Sequence, residues 1–238
     1  MALKSQFLLK YLTAYGAQIH WTAYDHLNQF ATLLMLTPNK LRAPKILLVC
    51  YVSPEIGIGH LSRLLALADT LRKDDNVIPE FLIFGDFIKR KELANFNVHA
   101  FSFVDDFTAT IEHILEVDNF DALIFDLYPR HNIGNLGELF IQLKRRNICI
   151  VSIDSLIDYC NILDLIWIPS FNFDCEKYTD CTSVLKSGWS SFLIQKRLQH
   201  KDWTPGAKVL ILTGGSDAAN LGETLPAQLD ELLDNNIE

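Results

Sequence analysis

Residues 45–72 read KILLVCYVSPEIGIGHLSRLLALADTLR, and this stretch decides the fold class. It opens with an unbroken apolar run at residues 46–52, which is typical of a strand buried on both faces of a parallel sheet. A glycine turn follows at residues 53–60. Leucine and alanine then recur at helical spacing over residues 61–72. Strand, turn and helix together predict the opening of a βαβ unit.

The same alternation continues along the chain. It favours an α/β fold with a doubly wound, Rossmann-like parallel sheet and right-handed crossovers. Ligands in this architecture bind beyond the carboxyl ends of the strands. The further strands are predicted at 80–84, 98–103, 122–126, 148–153 and 163–168, and the helices at 89–94, 108–117 and 136–145.

The chain divides into three predicted parts. Residues 1–44 place aromatic and aliphatic side chains at mixed helical spacing before Pro38 and Pro44, which predicts a helical N-terminal extension and linker. We expect this extension to pack against the main domain, a partner or a second copy. Residues 45–205 form the Rossmann-like domain. After a Thr-Pro-Gly boundary, residues 206–238 supply one strand (208–212), a loop and a helix (222–233), only the start of a second Rossmann-like domain.

Composition excludes several classes of function. The 238 residues are 49% apolar, ample for a buried core, and the net charge of −8 argues against a nucleic-acid surface. Polar residues interrupt every candidate membrane span, and no secretory signal is evident, so a cytoplasmic protein is expected. The five cysteines are odd in number and lack C-x-x-C spacing, which predicts free thiols. The seven histidines show no metal-like spacing, and no metal site is expected.

The turn after the first strand is the strongest candidate site. Gly57, Ile58 and Gly59 let the backbone approach a ligand closely, and the helix N-terminus that follows offers N–H groups and partial positive charge to a diphosphate. An imidazole at that position favours its neutral form, so His60 is a candidate general base. Arg63 stands one turn later, and we expect it to contact the substrate. The alternative is that His60 only caps the helix.

Residues 56–68, IGIGHLSRLLALA, resemble the I-G-x-G-H-x-x-R-x-L-x-L-A signature of a hydrolase family. These enzymes remove UDP from a 2,4-diacetamido-2,4,6-trideoxy sugar in pseudaminic-acid biosynthesis. The stretch is also similar to GT-B glycosyltransferases that make peptidoglycan and capsule sugars. The resemblance implies a GT-B-like fold, a UDP-sugar ligand and no cofactor. It also implies that His60 activates water for attack at the anomeric carbon.

Four later stretches extend the resemblance. Residues 121–128, DALIFDLY, resemble the family's D-x-L-I-x-D-H-Y and imply catalytic roles for Asp126 and Tyr128, with Leu127 replacing a histidine. Residues 150–155, IVSIDS, resemble a strand ending in paired aspartates, with Ser155 in the second place, and imply a substrate contact at Asp154. Residues 164–172, DLIWIPSFN, are similar to D-L-L-L-N-x-N and imply a substrate contact at Asn172. Residues 186–189, KSGW, are similar to a short G-x-x-Y crossing.

Residues 214–221, GGSDAANL, resemble the family's G-G-[ST]-D-x-x-N-L loop. Two glycines between a strand and a helix also make a nest of N–H groups suited to an anion, although a plain tight turn would use them equally well. Two of the polar side chains, at 217 and 220, are alternatively helix caps. The implied substrate contacts are Gly214, Gly215, Ser216, Asp217 and Asn220.

The leading hypothesis is a nucleotide-sugar hydrolase that cleaves the C1–O bond of a UDP-linked amino or deoxy sugar in surface or capsule (nonulosonic acid) sugar biosynthesis. A GT-B glycosyltransferase is the first alternative, because an acceptor hydroxyl can replace water. A non-catalytic sugar-nucleotide-binding or interaction module is the second, because the family holds uridine in a second domain that here stops after one strand and one helix.

Overall fold

The central feature of the fold is a single sheet of seven parallel strands in the order β3-β2-β1-β4-β5-β6-β7. The doubly wound parallel sheet expected from the sequence is thereby confirmed. The computed structural model describes residues 43–54, 56–73, 77–85, 90–103, 105–127, 133, 136–170, 172–188, 191, 193 and 220–230. The predicted N-terminal helices and the strand at 208–212 lie outside these residues.

Strands and helices alternate through most of the described chain. None of the helices in this part of the protein combines the length and the apolar character that a bilayer crossing requires. The strands are β1 Lys45–Val52, β2 Ile78–Gly85, β3 Asn97–Phe101, β4 Ala122–Asp126, β5 Cys149–Ile153, β6 Leu165–Ile168 and β7 Val184–Ser187. The α-helices are α1 Gly59–Lys73, α2 Phe107–Val117, α3 Leu136–Arg145 and α4 Leu221–Asp230, and 3₁₀ helices span Lys91–Asn95, Ile157–Tyr159 and Cys175–Tyr178.

The core lies on both faces of the sheet because successive side chains of a strand point to opposite faces. On one face Ile46 and Leu48 of β1 pack with the leucines of α1. On the other face Leu47 and Val49 pack with apolar residues of α2 and α3. The central strand β4 is buried at every residue. Burial on both faces is the reason why these strands appear in the sequence as unbroken apolar runs.

Two elements differ from the sequence-based expectations. Strand β7 was not predicted, because its residues are only partly buried and include Lys186, so the apolar signal is weak. The helix expected at 89–94 is the 3₁₀ helix Lys91–Asn95.

Cys160 and Cys181 form a disulfide, so the prediction of free thiols is wrong for this pair. The bridge joins the segment after β5 to the segment before β7, and its two cysteines are 21 residues apart in sequence. Spacing alone carried no sign of their proximity, which follows from the adjacent positions of β5, β6 and β7 in the sheet. Cys50, Cys149 and Cys175 are free.

Candidate functional site

The candidate site lies where the strand order reverses. Strand β1 pairs with β2 on one side and with β4 on the other, and the chain builds the sheet outward in both directions from this pair. In open α/β sheets, the crevice that binds ligands lies beyond the carboxyl ends of the two strands at such a reversal, which are β1 and β4 here. The glycine turn follows β1, and Asp126 is the last residue of β4. Two separate motifs of the sequence therefore meet at this crevice.

The two glycines of the turn have different structural requirements. Gly57 has φ 81°, a left-handed conformation that favours glycine, and its N–H donates to the carbonyl of Ser53 over 2.7 Å. Gly59 begins α1, and a Cβ built on it would meet nothing within 4 Å. The chain itself therefore does not require glycine at 59, and the space beside it is open to a ligand. Ile58, between them, packs partly against the core.

Asp126 is a fully buried carboxylate, with a side-chain exposure of 0%. Its Oδ1 accepts hydrogen bonds from His60 Nδ1 over 2.6 Å and from Arg63 Nη2 over 2.7 Å. Its Oδ2 accepts one from Arg63 Nε over 2.9 Å. Burying a carboxylate is costly unless it is paired and hydrogen-bonded, and the two-pronged guanidinium contact provides both. Asp126 is thus held as an anion inside the protein.

The partners of His60 determine where its proton resides. An ionised carboxylate only accepts hydrogen bonds and a guanidinium only donates them. His60 Nδ1 therefore carries the hydrogen that bonds to Asp126, and the 3.2 Å separation between Nδ1 and Arg63 Nη2 is a contact between two donors. The ring lone pair then resides on Nε2. A carboxylate that orients an imidazole in this way is the arrangement of a general base.

Arg63 extends the network to a second carboxylate. Its Nη1 donates to Asp154 Oδ2 over 2.8 Å, so the guanidinium links the ends of β4 and β5. Asp154 directly follows β5 with φ 62°, and its side chain is 42% exposed. Burial by itself would lower the pKa of Arg63, but hydrogen bonds and attraction to Asp126 and Asp154 raise it overall. The guanidinium is permanently charged.

No protein-family model and no curated protein matches this chain. The resemblance to the UDP-sugar hydrolases therefore stays an expectation, and the geometry of the described residues carries the functional argument.

Cys50 lies beside the site but does not offer a nucleophile. It is paired with Asp126 across the β1–β4 register. Burial, and then the negative charge of Asp126, raise the pKa of the Cys50 thiol well above its usual range. Because the thiolate is the reactive form, the neutral thiol is inert at ordinary pH.

Arg90 is a cation that the sequence analysis did not single out. Its Nη1 donates to Ser62 Oγ over 3.0 Å, near the start of α1, and its Nη2 donates to Glu92 over 3.1 Å. It follows the carboxyl end of β2, at the same edge of the sheet as His60. The sequence does contain a signal for Arg90, because a cation stands there shortly after a strand that is predicted to be parallel.

The remaining predicted residues are not joined to this network. The backbone N–H of Asn172 donates to Ser170 Oγ over 3.3 Å in the segment after β6. Asn220 precedes α4, and its Nδ2 donates to Glu223 Oε2 over 2.9 Å. Within the described ranges, no group of three or more His, Cys, Asp or Glu side chains is arranged to hold a metal ion. The predicted residues outside the described part are Tyr128, Gly214, Gly215, Ser216 and Asp217.

Proposed function

We propose that this protein is a nucleotide-sugar hydrolase that cleaves the C1–O bond of a UDP-linked amino or deoxy sugar and releases UDP. One observation carries the proposal: His60, in the first turn of α1, is bound through Nδ1 to the buried Asp126 at the crevice where the sheet reverses its strand order. The motif resemblance at residues 56–68 independently assigns the same histidine as the base.

In the proposed reaction, Nε2 of His60 removes a proton from a water molecule while the water oxygen attacks C1 of the sugar. The bond between C1 and the diphosphate oxygen breaks, and UDP leaves with the bonding electron pair. The imidazolium formed on His60 is stabilised by the Asp126 carboxylate 2.6 Å from Nδ1. A general base placed in this way contributes about 10²- to 10⁴-fold to the rate.

The start of α1 is suited to the diphosphate. Its first turn contains no acidic side chain, and a helix N-terminus attracts anions through its N–H groups and dipole. The open space beside Gly59 lets phosphate oxygens approach the backbone. Arg90, hydrogen-bonded to Ser62 of α1, adds a cation beside the same helix end. These groups favour the charge that develops on the leaving UDP.

We further propose that the protein acts in the cytoplasm, in the synthesis of surface or capsule sugars of the nonulosonic acid class. The Cys160–Cys181 disulfide provides a test, because such bonds are rare in reducing compartments. Thiols alkylated at the moment of cell lysis and counted by mass spectrometry should number five in the cytoplasm. Three modified thiols, which are the three free cysteines of the structure, would instead indicate an oxidising location.

The reaction is tested by incubating the protein with UDP-linked N-acetylated amino sugars in isotopically labelled water. Heavy oxygen in the anomeric hydroxyl of the free sugar supports the proposal. Label in the phosphate would indicate P–O cleavage and contradict it. A glycoside formed only in the presence of an acceptor would indicate a transferase. UDP binding without turnover would leave the binding-module alternative.

A further inference from the structure

Arg63 makes three hydrogen bonds to two carboxylates, and none of them needs a ligand. Two of the three go to Asp126, whose side chain is 0% exposed, whereas the side chain of Arg63 is 22% exposed. The thiol of Cys50, the neighbour of Asp126 across the sheet, is neutral. In the described part of the protein, Arg63 is therefore the permanent cation that balances the charge of Asp126.

We propose that Arg63 is a positioning residue: by neutralising Asp126 it holds His60 in the Nδ1–H tautomer and keeps the lone pair on Nε2. The role of this tautomer in catalysis rests on the proposed function, but the effect on the tautomer itself does not.

The argument follows from what a buried carboxylate does without its cation. If Arg63 is removed, Asp126 retains one hydrogen bond, that from His60, and a buried anion so poorly compensated is unstable. Two proton transfers relieve it. In the first, Asp126 takes up a proton and donates a hydrogen bond to His60 Nδ1, while the ring loses its proton from Nδ1 and gains one at Nε2. Alternatively, His60 takes up a second proton and becomes an imidazolium.

Both responses have the same chemical consequence. The Nε2 atom carries a proton and no longer has a lone pair with which to accept one from water. Loss of Arg63 therefore disables the base without altering the His60 residue itself.

The contact with Asp154 serves a different purpose. Nη1 of Arg63 is directed to Asp154, away from His60, and the Asp154 side chain is 42% exposed. Exposed ion pairs contribute little, so loss of this charge should leave the pairing of Arg63 with Asp126 in place. Asp154→Asn is thus the matched control for the tautomer, because it removes the charge of one Arg63 partner without changing the charge balance at Asp126.

The test uses the full chain with ¹⁵N-labelled histidine. Long-range proton–nitrogen spectra, recorded above the ordinary titration range of histidine, report which ring nitrogen carries the proton. The chain has seven histidines, and His60→Gln identifies the signals of His60. We expect the Nδ1–H tautomer in the wild type, in Asp154→Asn and in Arg63→Lys, where an ammonium group still neutralises Asp126. We expect its loss in Arg63→Met, to either the Nε2–H form or the doubly protonated ring.

A folded Arg63→Met variant with the wild-type His60 spectrum would overturn the proposal, and so would a wild type in the Nε2–H form. If Arg63→Met does not fold, Arg63→Lys decides. Retention of the Nδ1–H form supports neutralisation by charge, and its loss overturns it.

Activity separates this inference from the proposed function. Arg63→Met should lower kcat by about 10²-fold, the lower bound of a general-base contribution. If the tautomer responds to Arg63→Met but the wild type releases no UDP, the proposed function fails and the inference stands. If the wild type releases UDP but the tautomer ignores Arg63→Met, the inference fails and the function stands.

Discussion

Two buried carboxylates lie at opposite ends of the parallel strands, the carboxyl edge and the amino edge of the sheet. Each is bound by a histidine and a cation. Asp126, at the carboxyl end of β4, pairs with a histidine and an arginine on α1. Glu80, near the amino end of β2, has a side chain 5% exposed and pairs with Lys45 Nζ over 2.6 Å. It also accepts hydrogen bonds from His99 Nε2 over 3.1 Å and from Asn97 Nδ2 over 2.8 Å.

The difference between these clusters is the element that carries the histidine. His99 lies within β3, next to β2, so its ring is held by the sheet itself. His60 lies on a helix that begins beyond the sheet after a glycine turn, at the edge where ligands enter. The ammonium group of Lys45, which acts as a point charge, also binds Asp118, whereas the guanidinium of Arg63 binds both oxygens of one carboxylate. The same kinds of side chain therefore have a structural role at the amino edge and are candidates for catalysis at the carboxyl edge.

The largest expected effect is on turnover. His60→Gln should lower the single-turnover rate of UDP release by about 10²- to 10⁴-fold with little change in UDP affinity, because only the transition state uses the base. His99→Gln is the matched control at the amino edge and should keep the wild-type rate. Equal rates in wild type and His60→Gln would remove His60 from the mechanism.

The second effect is on stability. Glu80→Ala leaves Lys45 partly buried beside fewer acceptors, and breaking a buried ion pair costs about 3–5 kcal/mol. Urea unfolding should show this loss, while UDP affinity stays unchanged because the cluster is at the edge opposite the crevice. A loss below about 1 kcal/mol, the value of an exposed pair, would show that the Glu80 cluster is solvated.

The third effect concerns the disulfide. Reducing Cys160–Cys181, which closes a loop between residues 21 apart, should lower the free energy of unfolding by about 3 kcal/mol. The bridge joins segments next to the amino ends of β6 and β7, so the ¹⁵N spectrum of His60 should not change. A Cys160→Ser, Cys181→Ser double variant provides the control, since reducing agent should have no effect on its melting temperature.

The smallest effect is a loss of stability in alkali. Burial raises the pKa of Tyr51, near the carboxyl end of β1, to about 12. The unfolded tyrosine ionises near pH 10, so the stabilising contribution is complete below about pH 10 and is lost as the pH rises towards about 12. When chemical denaturation is measured over a series of pH values, Tyr51→Phe should reduce the decline of the free energy of unfolding between about pH 10 and about pH 12. An unchanged decline would mean that groups elsewhere cause it.

Lys45 gives the corresponding test at the amino edge. Burial by itself would lower the pKa of Lys45, but hydrogen bonds to Asp118 and Glu80 raise it overall. The contribution of Lys45 to the free energy of unfolding is therefore complete below its unfolded pKa of about 10.4. It is lost as the pH rises through the higher pKa of the folded state. Lys45→Met should remove this part of the alkaline decline while leaving the part due to Tyr51.

The sequence predicted the fold well wherever strands are buried on both faces. Strand β4 and helix α3 have the predicted bounds, because an apolar run and an apolar stripe are visible without tertiary information. The partly buried β7 gave no such signal. The pairing of Cys160 with Cys181 could not be predicted either, because it depends on which strands are neighbours in the sheet and not on the sequence spacing of the cysteines.

At the site, the sequence supplied the residues but not their contacts. His60 and Asp126 were both candidates from motifs 66 residues apart, and only the placement of β4 beside β1 brings them together. Arg63 was expected to contact substrate. That contact stays a prediction. The structure shows that the guanidinium of Arg63 binds Asp126 and Asp154, and no local pattern reveals a bond across 63 or 91 residues.

The pairing of β1 with β4, which comes much later in the chain, also sets the order of events during synthesis. His60 leaves the ribosome 66 residues before Asp126, which at about 5–20 residues per second is an interval of about 3–13 s. Through that interval the nascent histidine has no carboxylate to orient it, and the β4 side of β1 is uncovered. A growing chain that has not reached β4 therefore holds no oriented base.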